Sequence, residues 1–200
     1  MIPSASSLIL VRHARVAARY NGVCYGRSDV LLDPEGVEES RELAEFLSRW
    51  PIRHLVTSGA TRARVLAEFL AERIGLEMTV EPALLERDFG AWELRPWDSI
   101  YQEVGDAMQG LIHEPATYRP PGGETTYELR DRAVSWYARR PRGGLTVVVT
   151  HGGPIAAIRG TLAGKIPADW LDLIPRPGSW IALDNERDEV ALTPGGGWTS

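Results

Sequence analysis

Two histidines and two arginines stand where predicted secondary-structure elements begin or end. Arg12 and His13 follow one apolar segment, His151 follows another, and Arg62 lies at the start of an amphipathic segment. A guanidinium group can chelate two oxygens of a tetrahedral anion, and a neutral imidazole is a nucleophile at neutral pH. His151 also precedes two glycines and a predicted helix, so backbone N–H groups are expected to point at the same ligand. These residue types predict a site for a multiply charged oxyanion.

Taken one at a time, the same residues have structural explanations. A histidine after a strand ordinarily satisfies a local hydrogen bond, and an arginine in the first turn of a helix is ordinarily solvated. Arg62 is, however, poorly placed for the helix dipole, because a cation there faces the positive end of the helix. This misfit favours an anionic partner. The Gly152-Gly153 pair by itself indicates only a turn.

The elements that position these residues alternate between strands and helices. The predicted strands are residues 7–11, 54–57, 78–80, 145–150, 179–183 and 189–192. The predicted helices begin after Asp33, after Ser58-Gly59 (ending at Gly75), near residue 97, at residue 124 and at Pro154. Residues 14–35 are expected to form a long loop, and 82–124 to be irregular apart from one helical stretch. The alternation predicts a three-layer α/β/α sandwich with a mostly parallel sheet, which binds ligands beyond the carboxyl ends of its strands.

The composition is that of an ordinary globular protein and excludes several classes. With 200 residues, 44% of them hydrophobic, and a net charge of −5, bulk charge argues against nucleic-acid binding. No apolar run approaches the roughly 18 residues that a membrane span needs, and the N-terminus lacks the basic segment of a signal peptide. The single cysteine, Cys24, cannot form an internal disulfide, and no Cys/His spacing fits zinc. We expect one cytoplasmic domain over residues 1–200 with a loose tail at 194–200; a homo-oligomer stays open.

Five segments together resemble the hallmark motifs of the histidine phosphatase superfamily, whose members have the phosphoglycerate mutase-like fold. They are Leu-Val-Arg-His at residues 10–13, Ser-Gly-Ala-Thr-Arg-Ala at 58–63, Leu-Glu-Arg-Asp-Phe-Gly-Ala-Trp-Glu at 85–93, Pro-Gly-Gly-Glu at 121–124 and Val-Thr-His-Gly-Gly at 149–153. Each motif is weak alone, but five in the family's order, spread over about residues 7–183, are specific.

The resemblance implies a role for each matching position. His13 would be the nucleophile that becomes phosphorylated, and Glu86 would be the proton donor to the leaving group. The phosphoryl oxygens would be held by Arg12, Arg62, His151 and the main-chain N–H of Gly152. Because the arginines supply the positive charge that phosphoryl transfer needs, no metal or other cofactor is expected.

The segment after the nucleophile departs from the family pattern. Where the family usually has Arg-His-Gly-Glu/Gln-Thr, this chain has Ala14, Arg15 and Val16 after the histidine. Ala14 keeps the position small, but Arg15 and Val16 replace groups that commonly line the phosphate pocket. Arg15 either adds charge for a second anionic group of the substrate or faces solvent, and both possibilities stay open.

The loop at residues 22–30 resembles the α-ribazole phosphatase-like branch, whose substrates are nucleotide phosphates of the cobalamin pathway. In this loop Arg27 and Ser28 are expected to reach a substrate, and Tyr25 to stack on a ring. The alternative is that Tyr25 and Cys24 simply pack the loop. Nothing marks Cys24 as a thiol of lowered pKa.

Three functions fit these observations. The first is a metal-independent phosphatase that hydrolyses a small-molecule phosphate ester through phosphohistidine. The second is a phosphoglycerate mutase, in which the phosphoryl group returns to a reoriented intermediate. The third is a non-catalytic relative that binds a phosphorylated ligand, although binding alone needs neither a nucleophile nor an acid.

Overall fold

A computed structural model describes residues 7–184 of the chain. The strands are β1 (Ser7–Arg12), β2 (Val23–Cys24), β3 (Ile52–Thr57), β4 (Met78–Val80), β5 (Arg95–Pro96), β6 (Leu145–Thr150) and β7 (Trp180–Asp184). The α-helices are α1 (Pro34–Leu47), α2 (Thr61–Ile74), α3 (Trp97–Val104), α4 (Gly110–His113), α5 (Thr126–Arg139) and α6 (Gly152–Leu162). The 3-10 helices are Ala18–Tyr20, Pro82–Leu84, Gly90–Trp92, Gly105–Gln109 and Pro167–Leu173. The predicted strand at 189–192 and the tail at 194–200 lie outside the described residues.

Five strands form the central sheet in the order β4-β3-β6-β1-β7. β1 pairs in parallel with β6, β6 with β3 and β3 with β4, whereas β7 runs antiparallel to β1 at the edge. The sheet is therefore mostly parallel, as predicted, and β1, β3 and β6 all end at the same side. Polar residues that follow these strands are brought to one edge.

Helices cover both faces of the sheet and complete the three-layer sandwich. Alternate residues of β1 point to opposite faces, as a pleated strand requires. On one face Ile9 and Val11 lie in a core with side chains of α1 and α2, such as Leu43 and Leu66. On the other face Leu8 and Leu10 join a second core, to which α5 and α6 contribute Trp136, Ile155 and Ile158. The central strands are buried on both faces, which explains their continuous apolar runs.

Local sequence signals set the helix ends. Asp33 caps α1 by accepting a hydrogen bond from the Gly36 N–H, and Pro34 is the first helical residue. Gly75 ends α2 in the left-handed region at φ 65°, where a side chain would be strained. These ends agree with the sequence prediction.

Two segments are more structured than the sequence predicts. The loop predicted at 14–35 contains a 3-10 turn and β2, because β2 finds its partner β5 about 70 residues further along the chain. The predicted helical stretch near 97–110 is α3, a 3-10 helix and α4 in succession. Together with β2 and β5 these elements surround a separate small core of Cys24, Trp92 and Ile100 beside the main sheet. Within residues 7–184, no helix has both the length and the apolar character that a bilayer crossing requires.

Candidate active site

The carboxyl ends of β1, β3 and β6 bring two histidines and a serine together. The His13 N–H donates to the Thr150 carbonyl at 3.0 Å, and the Ser58 N–H donates to the Val149 carbonyl at 3.1 Å. His151 directly follows β6. As a result, the rings of His13 and His151 meet edge to face, with centroids 5.2 Å apart and planes at 63°.

His13 is held as a neutral imidazole with a defined tautomer. Its Nδ1 lies 2.7 Å from the Ala14 carbonyl oxygen. A carbonyl oxygen only accepts, so Nδ1 carries the proton and Nε2 keeps its lone pair. Burial of the ring, with the positive charges of Arg62 and then Arg12, lowers the pKa of His13 to about 3, although the hydrogen bond to Ala14 opposes this. The free Nε2 is therefore a nucleophilic nitrogen at neutral pH.

His151 is fully buried and forms one hydrogen bond through its ring, from Nε2 to the Ser58 hydroxyl at 2.8 Å. Its Nδ1 has no partner among the described residues. Burial, and after it the charge of Arg62, holds the pKa of His151 well below its usual value. When Ser58 donates to Nε2, the proton of the neutral ring resides on Nδ1, which becomes a donor for a bound anion.

Arg62 is completely buried, unlike an ordinary solvated arginine in the first turn of a helix. Two backbone carbonyls of the loop before α1 draw the guanidinium inward. Nη1 donates to Ser28 at 2.8 Å and Nη2 donates to Gly26 at 2.6 Å. The guanidinium carbon lies 5.2 Å from the centre of the Tyr25 ring, and Nε has no described partner. Burial lowers the pKa of Arg62, while the charge of Glu86 opposes that shift.

Arg12 supplies a second guanidinium at the same edge. Its Nη1 donates to the Pro175 carbonyl at 2.9 Å, and its buried Nε has no partner among the described residues. Within residues 7–184, neither Arg12 nor Arg62 forms an ion pair with a carboxylate. A buried cation at Arg62 and a partly buried cation at Arg12, neither with a paired carboxylate, favour an anionic ligand.

Glu86 faces this cluster on a segment that is held by backbone contacts. Its Oε1 accepts from the Arg87 N–H at 2.9 Å, and its Oε2 accepts from the Gly153 N–H at 3.2 Å. A Cβ atom on Gly153 would lie 2.2 Å from Glu86 Oε1, so only glycine permits this approach. Arg132 holds the segment that carries Glu86, because its guanidinium donates hydrogen bonds to the carbonyls of Leu85 and Glu86 at 2.6 and 2.9 Å.

Gly152 is the first residue of α6, so its N–H has no acceptor within the helix. Gly152, Glu86 and Arg12 all line one cavity of about 560 Å³, and Arg12 and Gly152 are the chain neighbours of the two histidines. The sequence-predicted residues His13, Arg12, Arg62, Glu86, His151 and Gly152 are thus brought to one place. Chemically, the arrangement combines a free imidazole nitrogen, unpaired cationic donors, a helix N-terminus and a carboxyl group.

The comparison with known families agrees with this geometry. The model of the histidine phosphatase superfamily, branch 1, matches residues 8–193. The chain belongs to this superfamily. This confirms the family resemblance drawn from the five motifs.

Individual relatives of this superfamily member are named for different activities. The probable phosphoglycerate mutase GpmB of Salmonella choleraesuis (strain SC-B67) is 30% identical over 162 residues, which cover 80% of this chain and 75% of the relative. The structure of mycobacterial glucosyl-3-phosphoglycerate phosphatase is similar with a TM-score of 0.77 at 28% identity, covering 89% of both chains. The α-ribazole phosphatase of Shigella flexneri has a TM-score of 0.78 at 22% identity, covering 97% of this chain and 100% of the other, which shows a shared fold.

Among the predicted substrate-contacting residues, the structure brings only Tyr25 to the cavity. Arg15 lies against Asp33 and Glu39, with its Nε 3.4 and 3.5 Å from their carboxylate oxygens. Arg15 does not line the cavity, because these two acidic side chains hold its half-exposed guanidinium elsewhere.

Arg27 and Ser28 are also engaged within the chain. The Arg27 guanidinium pairs with Asp88 and Glu124, each at 3.3 Å. The backbone N–H and the hydroxyl of Ser28 both donate to Glu93, at 2.7 and 2.5 Å. These contacts hold the loop whose carbonyls accept hydrogen bonds from Arg62. In this structure both residues therefore position the site and do not line the cavity.

Cys24 is buried, and this confirms the packing alternative for the cysteine. Burial, together with the negative charges of Glu93 and Glu86, raises the pKa of its thiol to about 12. The thiol is therefore protonated and unreactive at neutral pH.

Sequence reasoning assigned no role to three residues that organise the site: Ser58, Glu93 and Arg132. Glu93 accepts three hydrogen bonds from the loop at residues 27–28, and Arg132 binds the Glu86 segment. Ser58 and Glu93 lie within the motifs that resemble the family, and that position is the sequence signal that could have identified them. Arg132 lies on the otherwise ordinary polar face of α5, where no local pattern distinguishes it.

Proposed function

We propose that this histidine phosphatase is a metal-independent phosphatase that hydrolyses a small-molecule phosphate monoester through a phosphohistidine on His13. The observation that carries the proposal is the state of His13: it is buried, neutral, and protonated at Nδ1, with Nε2 free. Arg12, Arg62, His151 and the Gly152 N–H surround it as donors for the phosphoryl oxygens. Charge that spreads over those oxygens in the transition state is stabilised by such preorganised donors.

In the first step the Nε2 lone pair of His13 forms a bond to phosphorus while the bond from phosphorus to the leaving oxygen breaks. The leaving oxygen takes the proton of the Glu86 carboxyl group. In the second step a water oxygen attacks phosphorus, its proton passes to the Glu86 carboxylate, and the N–P bond breaks with the electron pair returning to Nε2. Inorganic phosphate and the original enzyme result.

The unpaired donors support phosphoryl binding by this site. A dianionic phosphoryl group would satisfy the buried Nε atoms of Arg12 and Arg62 and the Nδ1–H of His151, which have no described partner. No group of three or more His, Cys, Asp or Glu residues in the described part of the chain is arranged to hold a metal ion. In the proposed mechanism the positive charge comes from Arg12 and Arg62.

Catalysis is favoured over mere binding of a phosphorylated ligand. A binding site needs cations and N–H donors, but it does not need a neutral imidazole with a free nitrogen beside a positioned carboxyl group. The mutase alternative rests on the 30% identity to a probable phosphoglycerate mutase. An α-ribazole ester is the substrate suggested by the loop at residues 22–30.

A phosphoenzyme trap tests the proposal. The protein is mixed with a ³²P-labelled aryl phosphate in the presence of a chelator and quenched within milliseconds. We expect one label per active chain that is stable in alkali and lost in acid, and we expect steady release of inorganic phosphate. His13→Gln should give neither, although circular dichroism should show it folded. Hydrolysis by His13→Gln at the native rate would overturn the nucleophile, and loss of activity with the chelator would overturn the metal-independent mechanism.

The mutase alternative has its own measurement. With 3-phosphoglycerate and a catalytic amount of 2,3-bisphosphoglycerate, a mutase isomerises the substrate faster than it releases phosphate. We expect the reverse: phosphate release that exceeds isomerisation. Isomerisation in excess would assign the protein to the mutases.

A further inference from the structure

The cavity of about 560 Å³ beside the histidines is built mainly from apolar side chains. One wall comes from the segment of α3, the 3-10 helix and α4, and the opposite wall comes from the 3-10 helix at Pro167–Leu173 and the residues after it. The apolar side chains on these walls are Met108, Leu111, Ile112, Trp170, Leu171 and Ile174. The space is of the size that binds a drug-like ligand and exceeds the needs of a three-carbon acid.

Polar groups in this cavity are few, and two of its hydroxyl groups are engaged within the chain. The Tyr101 hydroxyl donates to Asp106 at 3.1 Å, and the Thr126 hydroxyl donates to the Leu111 carbonyl. The charged side chains in the lining are Arg12, Glu86 and Arg87, of which Glu86 and Arg87 are consecutive in the chain. A sugar or another polyol would find few partners for its hydroxyls, and unpaired buried hydroxyls are costly.

The apolar wall is incompletely covered in the free protein. Leu171 is 60% exposed, Tyr101 is 51% exposed and Ile174 is 36% exposed, and all three line the cavity. Large apolar side chains that surround a concave site are typical of a surface that a ligand covers. An apolar ligand would remove this surface from water, and the release of that water stabilises the complex.

The direction of the leaving group follows from Glu86. Under the proposed function, Glu86 protonates the leaving oxygen, so that oxygen must lie next to the Glu86 carboxyl group. Glu86 is part of the cavity lining together with Gly153, whose N–H holds it. The remainder of the leaving group then extends from Glu86 into the apolar space.

We propose that the substrate is the phosphate monoester of a bulky, ring-containing and largely apolar alcohol, whose ring system occupies the cavity between α3–α4 and Pro167–Leu173. This inference rests on the proposed phosphatase function and adds the class of leaving group. It separates this chain from phosphatases whose leaving group is a polyhydroxyl sugar or a small acid.

A series of esters of primary alcohols tests the proposal, because their similar leaving oxygens keep the chemistry comparable. The series is ethyl phosphate, glycerol 1-phosphate, glucose 6-phosphate, benzyl phosphate and 2-naphthylmethyl phosphate. We expect kcat/KM for 2-naphthylmethyl phosphate to exceed that for ethyl phosphate by about 100-fold, since each apolar group that enters such a pocket contributes a large factor. A kcat/KM for glucose 6-phosphate equal to or above that for 2-naphthylmethyl phosphate would overturn the proposal of an apolar leaving group.

A matched pair of variants tests whether the preference for an apolar leaving group arises in the cavity. Leu171→Asp puts a charge on the apolar wall, and Leu31→Asp makes the same change at a site of similar exposure (52%) outside the cavity. We expect Leu171→Asp to lower kcat/KM for 2-naphthylmethyl phosphate at least about 10-fold without changing that for ethyl phosphate. Leu31→Asp should leave both values at the native level. An equal loss with both esters in Leu171→Asp would overturn the proposed position of the ring.

The outcomes distinguish failure of the proposed phosphatase function from failure of the proposed apolar leaving group. If no ester forms phosphohistidine, the proposed function fails. If the phosphohistidine forms but the five esters react with equal kcat/KM, the phosphatase function stands and the apolar leaving group is wrong.

Discussion

The imidazole of His151 presents its edge to the imidazole of His13, with the ring centroids 5.2 Å apart, and both rings are buried. Protonation of either ring is energetically unfavourable, because burial and the charge of Arg62 disfavour the imidazolium form of each and lower its pKa. The two rings are therefore neutral while the two arginines remain charged. Two neutral imidazoles beside two cations suit a dianionic phosphoryl group. One imidazole is the nucleophile and the other is a hydrogen-bond donor, and neither carries a charge of its own.

The first prediction concerns stability against pH. An exposed imidazole in the unfolded chain has a pKa near 6.5, whereas the pKa of His13 in the folded protein is about 3. Between these values the unfolded chain binds more protons, so the free energy of unfolding falls as the pH falls from 6.5 towards 3. The loss approaches about 1.4 kcal/mol per pH unit for each such histidine. Urea unfolding at pH 7.0, 6.0 and 5.5 measures the slope.

Matched variants identify the source of that slope. His13→Asn should reduce it, whereas the same change at the exposed His113 should leave it as it is. A slope that is the same in His13→Asn and in the native protein would show that His13 titrates alike in the folded and unfolded chains.

The second prediction concerns Glu86 and the leaving group. Glu86→Gln removes the proton donor, so kcat/KM for an alkyl phosphate should fall about 10²- to 10⁴-fold. For p-nitrophenyl phosphate, whose leaving oxygen needs no proton, the fall in the phosphorylation step should be less than about 10-fold. Glu68→Gln, which alters an exposed ion pair with Arg64, is the control and should act as the native protein does. An equal loss with both esters would argue that Glu86 only shapes the site.

The third prediction concerns the tautomer of His151. The Ser58 hydroxyl lies 2.8 Å from Nε2, and when it donates to Nε2 the ring carries its proton on Nδ1. Ser58→Ala removes this hydrogen bond and leaves Nε2 buried without a partner, which favours the other tautomer or a mixture. We expect kcat to fall about 10-fold and ¹⁵N NMR to show the change in tautomer. Ser58→Thr, which keeps a hydroxyl, should restore both signals; native tautomer and activity in Ser58→Ala would exclude this role.

The fourth prediction concerns the packing under the cavity wall. A Cβ atom on Gly160 would lie 2.1 Å from Trp170 Nε1, which donates to the Lys165 carbonyl at 3.0 Å. Gly160→Ala should therefore displace Trp170 and lower the free energy of unfolding by about 1–3 kcal/mol. Thr161→Ala, at the adjacent exposed position of α6, should cost almost nothing. Thermal denaturation with Trp fluorescence reports both quantities, and an unchanged midpoint in Gly160→Ala would contradict the close contact.

Much of the frame follows from local patterns in the chain. Apolar runs that end in polar residues indicate strands buried on both faces, and Asp33-Pro34 and Gly75 mark helix ends through their own backbone preferences. The five motifs establish the family and name the residues that meet at the sheet edge. These features can be inferred from the chain because each depends on neighbours that are close in sequence.

The state of each site residue depends instead on partners that are distant in sequence. Arg62 is buried because the carbonyls of Gly26 and Ser28, 36 and 34 residues away, accept its N–H groups. Likewise, the orientation of His151 depends on Ser58, 93 residues earlier. The order β3-β6-β1 brings these groups into contact, and no local pattern encodes that order. The chain alone therefore determined which side chains could take part, whereas the tertiary structure decided their protonation, their free atoms and the apolar space beside them, because those properties arise from burial and long-range contacts.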